Sequence, residues 1–230
     1  MRKLCLLIAL TGVMTSLQCW ALTVNVTRID GYYTFPGGEF NVASVASDPN
    51  FTKILGEYAP SAIVNGGFET FCDSTSTGIQ NNPLNGMIAP GDVTIGAAWL
   101  YWQFSQGTLS GYDYLNTTPG GSGNSGRAKS AYALQQALWV LDGQTGGDVV
   151  PSAGAYYLNL AYSMFGNTET NANNGTYRVQ ELFLSYVNPN GGQTVSQPML
   201  VTVPDGGLTM ILLGVALSGL GLVFRKSRAA

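Results

Sequence analysis

An uncharged apolar stretch near each end of the chain limits which part of it can form a globular fold. At the C-terminal end, 17 uncharged residues (208–224) precede a short segment, 225–228, in which three of the four residues are cationic. As a helix this stretch would be about 25 Å long, near the lower length limit for crossing a bilayer. The basic end (225–230) predicts one transmembrane helix whose C-terminus is cytoplasmic. The alternative is a buried core helix, but core helices rarely end in a basic cluster.

The first 21 residues have the order of a secretory signal peptide. Arg2 and Lys3 form a basic head, 4–17 is an apolar run, and Ala21 is a small residue where signal peptidase would cut. We predict cleavage after Ala21. An uncleaved anchor and a lipoprotein signal at Cys19 are the alternatives, although Gln18 is not the small residue that lipoprotein processing needs. The mature body then spans residues 22–203.

The C-terminal tail (204–230) has three parts in a specific order. A short motif comes first, the transmembrane span follows at 208–224, and the basic end follows at 225–230; the motif is Val203, Pro204, Asp205, Gly206 and Gly207. This order resembles sorting signals of the PEP-CTERM type, most closely the VPDSG variant, with Gly206 where that variant has Ser. The resemblance implies an exosortase-type membrane transpeptidase as partner, cleavage near the motif, and delivery to the cell surface or extracellular matrix of a Gram-negative bacterium.

The charge of the body excludes one class of partner. Between residues 22 and 203 there are five Lys and Arg against twelve Asp and Glu, a formal charge of −7. A nucleic-acid-binding protein needs a basic face, so we expect no nucleic-acid partner. About 180 residues suffice for one domain with a hydrophobic core.

Hydrophobic periodicity predicts an α+β fold. The body is expected to be mainly β, sandwich- or barrel-like, with two helices inserted between the sets of strands. The predicted strands are 22–28, 32–35, 39–45, 61–72, 176–187 and 193–203. The predicted helices are 92–107, with Asp92 as its cap, and 127–141; residues 73–89 and 110–126 are predicted loops, and 155–163 is open between helix and strand.

Most catalytic constellations are excluded by residue types that the chain lacks. It has no histidine, which excludes Ser-His-Asp and Cys-His pairs and histidine metal sites. Removing the signal peptide leaves Cys72 as the only cysteine, too few for a thiolate metal site. Residues 142–148 would make a weak calcium loop, and a solvated turn is the better interpretation. We therefore expect no metal, no cofactor and no enzyme that turns over.

Cys72 and a segment 63 residues later resemble a known pair of motifs. Phe71-Cys72 ends a predicted strand, and Gln135-Gln136-Ala137-Leu138-Trp139 lies on a predicted helix. The pair resembles the thioester domains of bacterial surface proteins, in which an aromatic-Cys motif faces a Gln-x-Ala-aliphatic-Trp motif. The resemblance implies that Cys72 is the thiol and Gln135 the acyl donor, with Gln136 as the register alternative. Leu134 replaces the usual Thr, and Asp73 the usual aliphatic residue.

This resemblance implies covalent adhesion by a single-turnover capture. A nucleophile of an extracellular protein or polysaccharide would displace Cys72 and become linked to Gln135. Aromatic walls are expected to keep water from the thioester; they are Phe71, Trp99, Trp102, Tyr132 and Trp139. The alternative is a non-covalent matrix structural or polysaccharide-binding protein, whose Cys72 is an inert buried thiol or pairs with another chain.

Overall fold

One antiparallel sheet and three α-helices make up the described part of the chain. The computed structural model describes residues 21–45, 67–79, 83–116 and 126–203. The strands are β1 (Ala21–Thr34), β2 (Gly37–Ser44), β3 (Phe68–Thr70), β4 (Leu84–Ala89), β5 (Val179–Val187) and β6 (Gln193–Thr202). The helices are α1 (Ile95–Ser105), α2 (Gly126–Leu141) and α3 (Ala155–Phe165), and a 3₁₀ turn (Gly166–Thr168) follows α3. The expected α+β, mainly β body is therefore confirmed.

The two predicted targeting segments fall almost entirely outside these residues. The signal peptide is described only at Ala21, and the sorting motif only at Val203. Within the described ranges, no helix has the length and apolar character needed to cross a membrane. The predicted span at 208–224 lies outside them.

The sheet closes on itself at a seam beside β3. The strand order is β3-β2-β1-β4-β5-β6, and every neighbouring pair is antiparallel. The residues directly after β3 then pair with β6, because Cys72 forms a bridge with Met199. Two backbone hydrogen bonds flank this bridge, from Asp73 N–H to Pro198 O at 2.9 Å and from Leu200 N–H to Phe71 O at 3.0 Å. Cys72 therefore stands where the two edges of the sheet meet.

Alternating side chains fill the inside of the closed sheet. Successive residues of a strand point to opposite faces, so one apolar residue in two enters the enclosed space. We call this cluster the inner core; its buried members are Val24, Val26, Phe40, Val42, Phe68, Cys72, Leu84, Ile88, Trp139, Leu182, Leu184, Met199 and Val201.

A second apolar cluster, the helical core, lies among the three helices. Its larger buried members are Phe71, Leu100, Tyr101, Phe104, Leu109, Tyr112, Leu134, Leu138, Leu141, Tyr157, Leu158 and Leu200. Helix α2 contributes to both cores. Leu134 and Leu138 enter the helical core, whereas Trp139 enters the inner core. Adjacent faces of this helix thus serve two different cores.

Some of the predicted elements need correction, and the segment left open is now assigned. Residues 73–89 were expected to be one long loop, but Leu84–Ala89 form β4, which pairs with β1 and β5 in the middle of the sheet. Helix α1 is capped by Thr94, whose side chain accepts a hydrogen bond from Ala97 N–H, and Asp92 lies before the helix. The open segment 155–163 is helical, which gives three helices instead of two.

Candidate functional site

Cys72 is held rigidly at the seam of the sheet. Its side chain is 2% exposed, and its neighbours on both sides are fixed by the hydrogen bonds to β6. Cys72 and Phe68 enter the inner core, and Phe71 enters the helical core and packs edge-on against Phe104. This is the side-chain alternation expected for the strand, and it directs Cys72 into the closed sheet.

Gln135 reaches from α2 to the backbone of Cys72. Its Oε1 accepts a hydrogen bond from Cys72 N–H at 3.1 Å, and its Nε2 donates one to Cys72 O at 2.7 Å. The Gln135 side chain is fully buried. Both polar ends of one amide are therefore bound by a single residue 63 positions earlier, and this fixes the amide carbon beside the cysteine.

Gln136 points to a different part of the molecule. Its Nε2 donates to Asp148 O at 3.1 Å, and its Oε1 accepts from Val150 N–H at 2.5 Å. These bonds tie α2 to the segment that leads into α3. Of the two glutamines left open by the sequence, Gln135 is the one placed against Cys72.

An open cavity of about 210 Å³ has Cys72 in its wall. The hairpin between β1 and β2 contributes Tyr33, Phe35 and Phe40, and the segment after the seam contributes hydroxyl groups. Charged groups of both signs line it too. The full lining is Arg28, Tyr33, Phe35, Pro36, Phe40, Cys72, Thr75, Ser76, Thr77, Gly78, Ile79, Trp139, Asp148 and Gln197.

The aromatic wall differs from the predicted one. Trp139 lines the cavity as expected, but Phe71 lies in the helical core. Trp99 packs on Phe165, and Trp102 packs on Tyr177. Neither tryptophan lines the cavity, because α1 packs against α3 and the start of β5.

Tyr132 is half-buried on α2, outside the cavity lining. The sequence prediction missed three aromatic residues of the β1–β2 hairpin that line the cavity: Tyr33, Phe35 and Phe40. The cluster of aromatic residues in 32–40 was the available signal, but it was interpreted only as a strand and a turn.

Burial affects both the Cys72 thiol and the neighbouring Trp139 indole. Burial raises the pKa of the Cys72 thiol well above its usual value, and the adjacent Asp73 carboxyl adds to this effect. The thiol is therefore protonated at neutral pH. The indole Nε1–H of Trp139 is buried without a hydrogen-bond partner, although an unpaired buried donor costs about 1–3 kcal/mol.

A group of three carboxyl groups adjoins the cysteine. The Asp73 carboxyl lies close enough to those of Asp142, just after α2, and Glu181, in β5, to interact with both. Two carboxyl groups can share a hydrogen bond only when at least one is protonated. Burial raises the pKa of Asp73 to about 8, that of Glu181 to about 7 and that of Asp142 to about 6. The cluster therefore holds protons near neutral pH.

Arg127 fixes the opposite end of α2 through a buried ion-pair network. Its guanidinium donates to Glu39 in β2 at 2.7 Å and to Glu69 in β3 at 2.5 Å. All three side chains are at most 1% exposed. Tyr112 OH donates to Glu39, and Arg127 Nη1 donates to Tyr114 O at 2.6 Å.

These contacts hold the Cys72 segment and α2 together at two points. Glu69 and Asp73 flank Cys72 along the chain, and their partners are Arg127, at the start of α2, and Asp142, directly after its end. Each contact is buried, so its geometry is shielded from water. The two anchors therefore fix the register between the cysteine and the glutamine.

Comparison with protein-family models, curated proteins and solved structures finds no match to this chain. Among the residues that the structure describes, no group of His, Cys, Asp or Glu side chains could hold a metal ion.

Proposed function

We propose that this protein is an exported cell-surface or matrix protein that forms a thioester between Cys72 and Gln135 and uses it for covalent adhesion. The observation that carries the proposal is the double hydrogen bond between the Gln135 amide and the backbone of Cys72. An amide is inert to a free thiol in water. Two groups held in contact react as if their local concentration were very high, which lowers the barrier by several kcal/mol.

The hydrogen bonds also suit the chemistry of the step. The sulfur of Cys72 attacks Cδ of Gln135, and negative charge develops on Oε1 in the tetrahedral intermediate. Cys72 N–H already donates to that oxygen, as an oxyanion-stabilising donor must. The Cδ–Nε2 bond then breaks, the thiol proton passes to the leaving nitrogen, and ammonia departs. No oxidant or other reactant is consumed.

The mass of the intact mature protein tests the proposal. We expect it to be lower than the sequence mass by one ammonia, and we expect Cys72→Ala and Gln135→Ala each to restore the full mass. Gln136→Ala is the matched control, because the Gln136 side chain adjoins Gln135 in sequence but faces the 148–150 segment. A full-mass protein whose Cys72 is alkylated after mild unfolding would refute the thioester.

A second candidate function follows from the burial of Cys72. Cys72 is 2% exposed and the pKa of its thiol is raised, and both properties are also typical of an inert core cysteine. The same burial disfavours an intermolecular disulfide. With an inert Cys72 the protein would be a non-covalent matrix structural or polysaccharide-binding protein. Such a protein would have the full mass, and its adhesion would be unaffected by Cys72→Ala.

The export part of the proposal rests on the two ends of the sequence. We propose signal-peptidase cleavage after Ala21 and recognition of Val203–Gly207 by an exosortase-type transpeptidase, with the helix at 208–224 as a transient membrane anchor. Terminal sequencing of the protein from the native host's surface would test both cleavages. Retention of the tail in the surface form would refute the sorting proposal without affecting the thioester.

A further inference from the structure

We infer that the acyl acceptor for this site is a hydroxyl group of a neutral sugar, so that adhesion produces an ester between Gln135 and a glycan. The inference rests on the proposed thioester and adds the chemical class of its partner. The supporting observation is the lining of the cavity next to Cys72. This lining combines apolar groups with hydrogen-bond donors and acceptors.

The size of the cavity limits what can approach Cys72. Its volume of about 210 Å³ lies below the range of about 300–1,000 Å³ that drug-sized ligands occupy. It therefore has room for one sugar ring or one amino-acid side chain. The cavity is open on one side, and a ring within it could remain part of a longer chain outside.

The two kinds of surface in the cavity match a sugar ring. Tyr33 is half-buried, and Phe35 is 76% exposed at the tip of the β1–β2 hairpin, so these two rings offer aromatic surface beside the buried Phe40 and Trp139. Hydroxyl groups come from the segment 75–77, which follows the seam. A pyranose has apolar C–H faces and a polar rim, so it can pack on the aromatic rings while it hydrogen-bonds to the hydroxyl groups.

The charged groups favour a neutral ligand over an ammonium ion. Arg28 and Asp148 both line the cavity, so its charged side chains are of opposite sign. Arg28 lies over the ring of Tyr33, 4.6 Å from its centroid. A lysine ammonium would gain from Asp148 but would be repelled by Arg28. A neutral hydroxyl-bearing ring meets no such opposition.

Hydrogen-bonding capacity distinguishes the two ligands further. Arg28 is a donor, whereas Asp148 is an acceptor. A hydroxyl group donates and accepts, so a sugar can bind both. An ammonium group donates only and cannot bind Arg28.

The transfer step balances without a further reactant. The sugar oxygen attacks Cδ of Gln135 and forms a C–O bond, and the Cδ–Sγ bond breaks. The hydroxyl proton ends on the Cys72 sulfur, either directly or by way of the Asp148 carboxylate. The products are a Gln135 ester and a free Cys72 thiol.

Intact-mass analysis with two acceptors tests the inference. The mature protein, first checked for the loss of ammonia, is incubated separately with cellotetraose and with Nα-acetyl-lysine amide. We expect a cellotetraose adduct at Gln135 that hydroxylamine releases, as it would an ester. Phe35→Ala should slow its formation by about fivefold, which corresponds to about 1 kcal/mol. Leu115→Ala, which removes an exposed apolar side chain outside the cavity, should leave the rate unchanged.

The outcomes separate the inference from the function on which it rests. A protein of full mass would overturn both. A protein that has lost ammonia but forms only the lysine adduct would overturn the sugar acceptor and leave the thioester standing. A sugar adduct that forms as fast in Phe35→Ala as in the wild-type protein would overturn the role of this cavity.

Discussion

Gly37 of β2 lies directly against the side chain of Gln135. A Cβ atom placed on Gly37 would stand 2.5 Å from Gln135 Cγ, which is too short for two carbon atoms, and 3.1 Å from Gln135 Cβ, which is a tight contact. The hairpin after β1 therefore needs a residue without a side chain at this position. Only then can Gln135 extend past β2 to the backbone of Cys72.

This contact gives the first prediction, for Gly37→Ala. The added methyl group must displace Gln135, because α2 is anchored at both ends and cannot move away as a whole. We expect the variant to fold but to retain the full mass, with no loss of ammonia. Gly147→Ala is the matched control, since a Cβ at Gly147 meets nothing within 4 Å. Ammonia loss from Gly37→Ala at the wild-type level would show that the approach of Gln135 tolerates the methyl group.

Gln136 allows the register of the two glutamines to be tested by stability. Gln136→Ala leaves Val150 N–H and Asp148 O without their side-chain partners in a partly buried position. We expect a loss of about 1–3 kcal/mol in the free energy of unfolding by urea. Gln135→Glu has no amide nitrogen to lose at this position, so its measured mass should equal its full sequence mass. If Gln136→Ala removes the mass deficit without lowering stability, the assignment of the acyl donor to Gln135 is wrong.

The elements predicted best from the sequence are those whose apolar residues recur at one regular spacing along their whole length. Strands β5 and β6 and helix α2 were expected nearly within their observed bounds, because each alternates or repeats over ten or so residues. Strand β4 was missed because it is six residues long and contains Asn85 and Gly86, which indicate a loop. Its two neighbours in the sheet, β1 and β5, come from opposite ends of the body, so no local signal shows that it is central.

The site was predictable only as a pair of motifs. Cys72 and Gln135 could be connected by resemblance, but the wall around them depends on how the β1–β2 hairpin lies across the sheet. The carboxyl cluster could not be predicted, because Asp73, Asp142 and Glu181 are far apart in sequence and no spacing relates them. Arg127 was assigned to the start of a helix. The residue type alone suggests an exposed side chain, because Arg is rarely buried unless it is paired with opposite charges. The two carboxylates that pair with Arg127 could not be identified from the sequence.

Arg127 is the residue whose loss should cost the most stability. Arg127→Met removes the cation from between Glu39 and Glu69 and leaves both carboxylates buried without it. We expect a loss of about 3–5 kcal/mol in the free energy of unfolding, the usual cost of breaking a buried ion pair. Lys129→Met, at an exposed position two residues later on the same helix, should change it by less than about 0.5 kcal/mol. Equal effects of the two substitutions in urea titrations would contradict the anchoring role.

The carboxyl cluster predicts that stability falls as the pH rises. Burial raises the pKa of Asp73 to about 8 and that of Glu181 to about 7, and the nearby Asp92 carboxyl adds to both effects. Unfolded carboxyl groups titrate near pH 4, so between about pH 4 and pH 8 the native state binds more protons than the unfolded state. The protonated carboxyl groups make their full contribution to the free energy of unfolding at the acid end of this range, and this contribution is lost as the pH approaches 8.

Thermal unfolding between about pH 5 and pH 8 measures this dependence. We expect the Tm of the wild-type protein to fall across the range and the fall to become shallower in Asp73→Asn. The amide cannot ionise, yet it keeps a donor for the neighbouring carboxyl groups, so the variant should be the more stable protein at pH 8. Asp148→Asn, at an exposed position, should keep the wild-type slope. An Asp73→Asn protein with an unchanged slope would show that Asp73 does not hold a proton in the native state, and the anchor at this end of α2 would then need another explanation.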